Sequence, residues 1–223
     1  MGILTPRLDI LPANQREFWR RLGPTPKHFV LYGGTALALR LAHRESIDFD
    51  FFSDRPFRAL ELLRSIAYLD KQRVTQQGEN TLSCEIGIGK ETVNISFFGG
   101  LSLGQIETPD RVESNGIAVA SLMDIFGMKC ATIPQRNETK DYLDIHALIT
   151  LGKIDLARGL AGAVAIYGRQ YNPAMTLQAL SYFDDLPDPL SLRVKSALTE
   201  AVKSVSLRDL PQLTASHKIG EKL

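Results

Sequence analysis

The stretch that decides the fold runs from Tyr-Gly-Gly-Thr at 32–35 to Asp-Phe-Asp at 48–50. A β-rich run at 28–32 leads into the glycines, and residues 35–41 are predicted to form a helix. Backbone N–H groups at a helix N-terminus favour anionic oxygens, and glycine lets the backbone approach a ligand closely. The segment therefore predicts a phosphate site at Gly33, Gly34 and Thr35, with Thr35 capping the helix or bonding phosphate. A plain turn is the alternative.

The two acids sharpen this prediction. Asp48 and Asp50 lie two residues apart in the apolar run 47–52, which predicts a strand. Side-chain alternation places both carboxylates on one face, with Phe49 and Phe51 on the other. Adjacent like charges repel, and a divalent cation relieves the repulsion; Mg²⁺ typically uses one or two carboxylates plus substrate phosphates. We therefore predict Asp48 and Asp50 as Mg²⁺ ligands, against the alternative of two solvated acids at a strand end.

The bulk composition is that of an ordinary globular protein. The 223 residues carry a formal net charge of +1, so no overall basic field advertises nucleic-acid binding. Cys84 and Cys130 lie in apolar runs, which predicts buried free thiols and fits a reducing compartment. The N-terminal residues do not form a signal peptide, and no apolar run is long enough to span a bilayer. We expect a cytoplasmic protein without a membrane partner.

The chain changes character near its middle, which predicts an α+β fold. We expect an α/β core at 1–118, with a small mixed sheet flanked by helices, and a helical region at 119–223. The apolar periodicity and turn signals predict further strands at 73–76, 81–88 and 92–98, and helices at 11–22, 56–68, 121–131, 137–151, 155–167, 173–183 and 190–204. Residues 99–116 are predicted to be a loop, and the polar tail after Leu210 to fray.

The segment YGGTALALRLAHRESIDFDFF at 32–52 resembles the Gly-Ser/Thr … Asp-x-Asp signature of the polymerase-β-like nucleotidyltransferase superfamily. Within that superfamily it looks like the AbiEii/AbiGii abortive-infection toxin family. A second block supports the resemblance, with Asp124-Ile-Phe-Gly-Met-Lys129, then Arg136, then Lys140-Asp141-Tyr-Leu-Asp144. The resemblance covers roughly residues 28–150. It implies that the α/β core at 1–118 is a nucleotidyltransferase core followed by a helical C-terminal half. It also implies NTP and Mg²⁺ as ligands, a cognate antitoxin, and tRNA or another RNA among the candidate acceptors.

The second block adds further candidate residues. Lys129 is a cation on an otherwise apolar helical stripe, either reaching the triphosphate or snorkelling at the rim. Asp141 is a candidate base or orients the nucleophile. Asp144 is placed to pair with Lys140 at i+4, as a surface pair. Arg44, which follows the first glycine-linked helix, completes the predicted nucleotide-binding set.

One departure from the superfamily pattern concerns a third carboxylate. Many such enzymes bear it on a neighbouring strand, and the best candidate strand here, at 92–98, has Asn94 and Ser96 instead. Glu85 and Glu91 are the weak substitutes. We expect at most one tightly bound metal and slow transfer.

Two classes of function follow from these residues. The first is a toxin-type nucleotidyltransferase that moves a nucleoside monophosphate from NTP to an acceptor hydroxyl, on RNA or on a small molecule. The second is a nucleotide-binding protein that keeps the fold, has lost catalysis, and acts through a partner. Mg²⁺-dependent NTP binding with or without pyrophosphate release discriminates them.

Overall fold

The computed structural model describes residues 2–215 and 217–220. These residues form two compact units, the first from 2–103, 108–121 and 217–220 and the second from 104–107 and 122–215. The first unit is built on a mixed eight-stranded sheet with helices, and the second is helical. This arrangement confirms the predicted α+β fold class.

The strands of the first unit's sheet are β1 (Ile3–Leu4), β2 (Val30–Tyr32), β3 (Asp48–Phe52), β4 (Arg73–Gly78), β5 (Thr81–Ile88), β6 (Glu91–Phe98), β8 (Asp110–Val112) and β9 (Ala118–Val119). Their order across the sheet is β1-β8-β9-β2-β3-β6-β5-β4. The central strand β3 is antiparallel to β2 and parallel to β6. Two short strands outside this sheet are β7 (Gly104–Gln105) and β10 (His217–Lys218).

Three α-helices belong to the first unit: α1 (Ala13–Trp19), α2 (Gly33–Leu41) and α3 (Ala59–Ser65). Helix α1 packs on the apolar face of the sheet, where Phe18 and Trp19 both contact Phe49. All three rings are almost fully buried. Helix α2 begins at Gly33, two residues earlier than predicted, so both glycines lie in its first turn.

The second unit contains α4 (Leu122–Thr132), α5 (Thr139–Thr150), α6 (Leu156–Tyr167), α7 (Pro173–Ala179) and α8 (Leu192–Lys203). Side-chain caps start three of these helices, from Asp155, Asn172 and Ser191. Helices α4 and α6 approach closely at Gly127, where an added Cβ would lie 2.8 Å from the Gly162 carbonyl carbon. None of the helices in the described ranges has the length and apolarity to cross a membrane.

The structure corrects two predictions outside the main elements. Residues 99–116, predicted as a loop, contain β7 and β8, and these strands are too short to produce a periodic pattern. The tail was predicted to fray, but Ile219 is fully buried and its carbonyl accepts a hydrogen bond from the Asp54 amide. Residues 216 and 221–223 of that tail lie outside the described residues. The thiols of Cys84 and Cys130 are buried and free, as predicted.

Candidate active site

Strand β3 carries both acids of the predicted site on one face. Asp48 and Asp50 are half-buried, whereas Phe49 and Phe51 between them are fully buried on the opposite face. Core packing fixes Phe49 and Phe51 on the buried face of the strand, so the side chains of Asp48 and Asp50 lie on the other face. The alternation predicted from the sequence is confirmed.

Gly33 lies directly beside the second acid. Tyr32, the last residue of β2, pairs with Asp50 across the sheet, and α2 begins at the next residue. Gly33 has φ +73°, a left-handed conformation that glycine adopts readily. A Cβ at this position would lie 2.9 Å from Asp50 Oδ2. The glycine therefore leaves the space that the Asp50 carboxylate occupies.

Gly34 makes a similar space for a cation. A Cβ on Gly34 would meet Arg44 Nη2 at 2.7 Å and Ser46 Oγ at 2.8 Å. The Arg44 guanidinium is held in part by a hydrogen bond that its Nη1 donates to the Glu45 carbonyl at 2.8 Å. The structure thus brings Arg44, predicted from the sequence as a nucleotide-binding residue, to the N-terminus of α2. Ser46 is a neighbour that the sequence did not single out.

Thr35 is buried, and its hydroxyl is engaged by the protein. It donates to the carbonyl oxygen of Asp48 and lies 3.0 Å from Ser46 Oγ. The helix-capping role considered from the sequence is not seen, because the N-cap of α2 is Tyr32. The contact instead ties the first turn of α2 to the start of β3, so Thr35 positions the strand that carries the acids.

We expect Thr35→Val to lower the free energy of unfolding by about 1–3 kcal/mol, because the partly buried Asp48 carbonyl loses its donor while the side-chain volume is kept. Thr35→Ser keeps the hydroxyl and is the matched control. Urea unfolding of both variants measures the difference. Equal stability of the valine and serine variants would show that the hydrogen bond contributes nothing.

Strand β6 places Asn94 beside the first acid. In the parallel pairing, Asp48 is opposite Asn94 and Asp50 is opposite Ser96. Asn94 Nδ2 donates to Asp48 Oδ1 at 3.0 Å. The alternate residues Val93, Ile95 and Phe97 are buried in the core. The prediction that neutral Asn94 and Ser96 occupy the face of the acids is confirmed.

The two substitute acids have different positions. Glu85 on β5 pairs with Asn94 in the antiparallel register, so it lies on the same face of the sheet as Asp48. Two strand spacings separate Glu85 from Asp48, a distance of about 10 Å. Its carboxylate pairs with Arg73 Nη1 at 2.8 Å. Alternation along β6 places Glu91 on the opposite face, with Val93. Neither acid therefore lies next to Asp48.

The donor set on β3 suits one hard cation. Within the described residues, no group of three or more His, Cys, Asp or Glu side chains is arranged to hold a metal ion. Two carboxylates on one face, beside the helix N-terminus at Gly33, nevertheless match Mg²⁺, which completes its coordination with water and substrate phosphates. The two carboxylates therefore fit a magnesium ion whose other ligands are water or phosphate oxygens.

The second unit holds a buried ion-pair cluster built from α4 and α5. Lys129 Nζ lies 2.7 Å from Asp141 Oδ1 and 2.5 Å from Asp144 Oδ2. The lysine side chain is 7% exposed and both carboxylates are 0% exposed. The sequence placed Asp144 on the surface with Lys140. That pairing was wrong, because Asp144 faces the interior and Lys140 Nζ pairs with Glu138 at 2.8 Å.

Arg136 completes the cluster. Its Nε donates to Asp141 Oδ2 at 2.7 Å and its Nη2 to Asp141 Oδ1 at 3.1 Å. Burial alone would raise the pKa of Asp141, but the hydrogen bonds from Arg136 and the charge of Lys129 hold the pKa below its ordinary value. A carboxylate with both oxygens engaged and a lowered pKa is a poor proton acceptor. The geometry therefore favours a positioning role for Asp141.

Comparison with known proteins assigns the family. Residues 17–212 match the family described as "Nucleotidyl transferase AbiEii toxin, Type IV TA system". The chain belongs to the AbiEii family. It is also 33% identical over 159 residues to an uncharacterised protein of Aquifex aeolicus, aq_aa25, covering 70% of this chain and 74% of that protein. The resemblance inferred from residues 28–150 is confirmed.

Two solved structures share the fold of this AbiEii chain. One is a protein from H. pylori assigned as a nucleotidyltransferase, with TM-score 0.53 and 18% identity, covering 85% of this chain and 90% of that chain. The other is MenT4, the nucleotidyltransferase toxin Rv2826c of Mycobacterium tuberculosis, with TM-score 0.53 and 14% identity, covering 88% and 87%. The chain is thus a nucleotidyltransferase-fold protein of a toxin family.

Proposed function

We propose that this AbiEii chain transfers a nucleoside monophosphate from an NTP to an acceptor hydroxyl, with Mg²⁺ as the cofactor. The observation that carries the proposal is the close approach of Gly33 to Asp50, on the face where Asp48 is bound by Asn94. This places two carboxylates beside the backbone amides of a helix N-terminus. Such a site can hold a metal-bound triphosphate with little rearrangement.

Each predicted site residue of the first unit has a defined role in this proposal. Asp48 and Asp50 hold the magnesium ion, which offsets charge on the phosphates when it is bound. The amides of Gly33 and Gly34 hold phosphate oxygens, and Arg44 adds a cation beside them. Thr35 acts indirectly, because it fixes the backbone of Asp48. An acceptor hydroxyl then attacks the α-phosphorus in line, the bond between the α-phosphorus and the bridging oxygen breaks, and pyrophosphate leaves. The proton of the hydroxyl passes to water.

In the second unit, we propose that Lys129 offsets the charge that develops as pyrophosphate leaves. The carboxylates of Asp141 and Asp144 contact its ammonium and fix its position. Their negative charges also reduce the electrostatic effect of Lys129 on other groups. Asp141 accordingly orients Lys129 in this proposal and does not take the proton of the nucleophile.

For the partners, we propose an RNA acceptor, with tRNA as the first candidate, and a cognate antitoxin. Membership of a family described as a type IV toxin–antitoxin system supports the antitoxin. The RNA acceptor rests on the resemblance of residues 28–150 to this toxin family. Mg²⁺-dependent release of pyrophosphate from each NTP, with and without total RNA, tests the proposal.

One observation favours a second function, nucleotide binding without turnover. The position beside Asp48 holds a neutral amide that donates a hydrogen bond and cannot add charge to a metal site. In that case the chain binds Mg²⁺ and NTP but releases no pyrophosphate, and acts through its partner.

We expect Asn94→Asp to tighten Mg²⁺ binding about tenfold or more, because a third carboxylate replaces the amide next to Asp48. Isothermal titration with Mg²⁺ in the presence of NTP measures the change. Ser83→Asp, on the same face of β5, is the control and should leave the affinity unchanged. An Asn94→Asp variant with unaltered metal affinity would show that Asn94 is not part of the site.

A further inference from the structure

A pocket in the second unit is formed by the α4–α5 connection and helix α7. Its volume is about 390 Å³, within the range of about 300–1,000 Å³ that is usual for ligand sites. Its lining includes Ile133, Arg136, Tyr142, Met175, Gln178 and Tyr182. Arg136 is also the partner of buried Asp141, so the pocket borders the ion-pair cluster.

Flat and flexible apolar groups form part of the pocket wall. Tyr182 is 52% exposed and Met175 is 48% exposed, high values for side chains of this size. Tyr142 is nearly buried and its ring is fixed by a hydrogen bond from its hydroxyl to the Ala179 carbonyl at 3.2 Å. An exposed aromatic ring in a pocket wall that also contains a methionine is a surface on which a planar ligand can stack.

Amide side chains surround this apolar surface. Gln135 Nε2 donates to the Ala131 carbonyl at 3.0 Å, and Asn137 Nδ2 donates to the Asp185 carbonyl. Each of these amides also carries an oxygen that accepts hydrogen bonds. The Gln178 side-chain amide has no hydrogen-bond partner among the described residues. The pocket therefore offers donors and acceptors to the edge of a planar ligand.

The charges at the pocket do not favour a phosphate. The Arg136 guanidinium is shared with the Asp141 carboxylate, and the carboxylate of Asp185 also lines the pocket. A lining with one paired cation and one acid has no net positive field to attract a polyanion. Stacking surface, hydrogen-bonding amides and near-neutral charge together fit a heterocyclic base.

We propose that this pocket binds a nucleobase, stacked on Tyr182 and held at its edge by Gln178, Gln135 and Asn137. The inference rests on the proposed function, because the base belongs either to the NTP or to a nucleotide of the RNA acceptor. It goes further by assigning base recognition to the helical unit, at residues that carry no part of the metal site.

Binding of free nucleosides tests the pocket without involving phosphate or metal. We expect adenosine, guanosine, cytidine or uridine to bind saturably in an NMR titration, and Tyr182→Ala to weaken that binding at least about fivefold. Gln178→Ala should weaken it as well. Leu192→Ala removes an even more exposed apolar side chain outside the pocket and should change nothing. Absence of saturable binding, or binding unaffected by Tyr182→Ala, overturns the proposal.

Two further experiments identify the source of the base and distinguish a failure of this proposal from a failure of the proposed function. The Asp48→Asn variant should still bind nucleosides, because the pocket contains no residue of the metal site. The nucleoside test is therefore valid even if the protein has no transfer activity. In steady-state transfer assays, Tyr182→Ala raises the KM for NTP if the base is that of the nucleotide. It raises the KM for RNA if the base is that of the acceptor. Unchanged KM values for both, in an active enzyme, overturn the proposal.

Discussion

Replacing Asp141 by asparagine is expected to lower the free energy of unfolding by about 3–5 kcal/mol, because it leaves buried Lys129 without one of its two counter-charges. Arg136 loses its bidentate partner in the same step. Urea unfolding measures the change. Lys140→Met, which removes the exposed pair with Glu138, is the control and should cost less than about 1 kcal/mol.

The effect of Asp141 also has a defined pH dependence. Its pKa is lowered in the folded protein, so its contribution to stability is complete above the ordinary value of 3.8 and is lost as the pH falls through the lowered pKa. The stability difference between wild type and Asp141→Asn should therefore be constant near neutral pH and shrink in acid. A loss below 1 kcal/mol at pH 7 would show that the cluster does not stabilise the fold.

Replacing Asp48 by asparagine is expected to weaken Mg²⁺-dependent NTP binding by at least about a hundredfold. Loss of a metal ligand should reduce the affinity at least as much as loss of a residue that only orients a ligand. Asp50→Asn should behave in the same way. Isothermal titration of NTP with and without Mg²⁺ isolates the metal-dependent part of the affinity. Without Mg²⁺, wild type and variant should differ little.

Glu85→Gln is the matched control for this experiment. Glu85 is an acid on the same face of the sheet, two strands from Asp48 and already paired with Arg73. Its replacement should leave NTP affinity within about twofold, since it lies too far from Asp48 to share a cation. Equal losses for Glu85→Gln and Asp48→Asn would indicate a general charge effect in place of a specific ligand.

The core of the site could be predicted from the sequence because it depends on local rules. Alternation in β3 fixes Asp48 and Asp50 on one face, and the same rule applied to β6 puts Asn94 and Ser96 on one face of that strand. The glycine turn was recognisable because few residues other than glycine tolerate the φ of Gly33. These features need only the strand period and backbone sterics.

Other features required the folded structure because they depend on contacts between distant segments. Helical spacing alone could not tell that Asp144 turns inward to Lys129, since Lys140 is nearer in sequence. The role of Thr35 depends on the carbonyl of Asp48, thirteen residues away along the chain. The short strand β8 within 99–116 arises from pairing with β1 and β9 and has too few residues to show a period.

Nucleotide transfer itself is tested most directly by incubating the protein with total cellular RNA and each NTP labelled at the α-phosphorus, then separating RNA from small molecules. We expect at least one NTP to label RNA in the presence of Mg²⁺, and Asp48→Asn to reduce the label at least about a hundredfold. Wild-type protein that labels neither RNA nor a small molecule with any NTP would contradict the proposed transferase activity, as would equal labelling by Asp48→Asn.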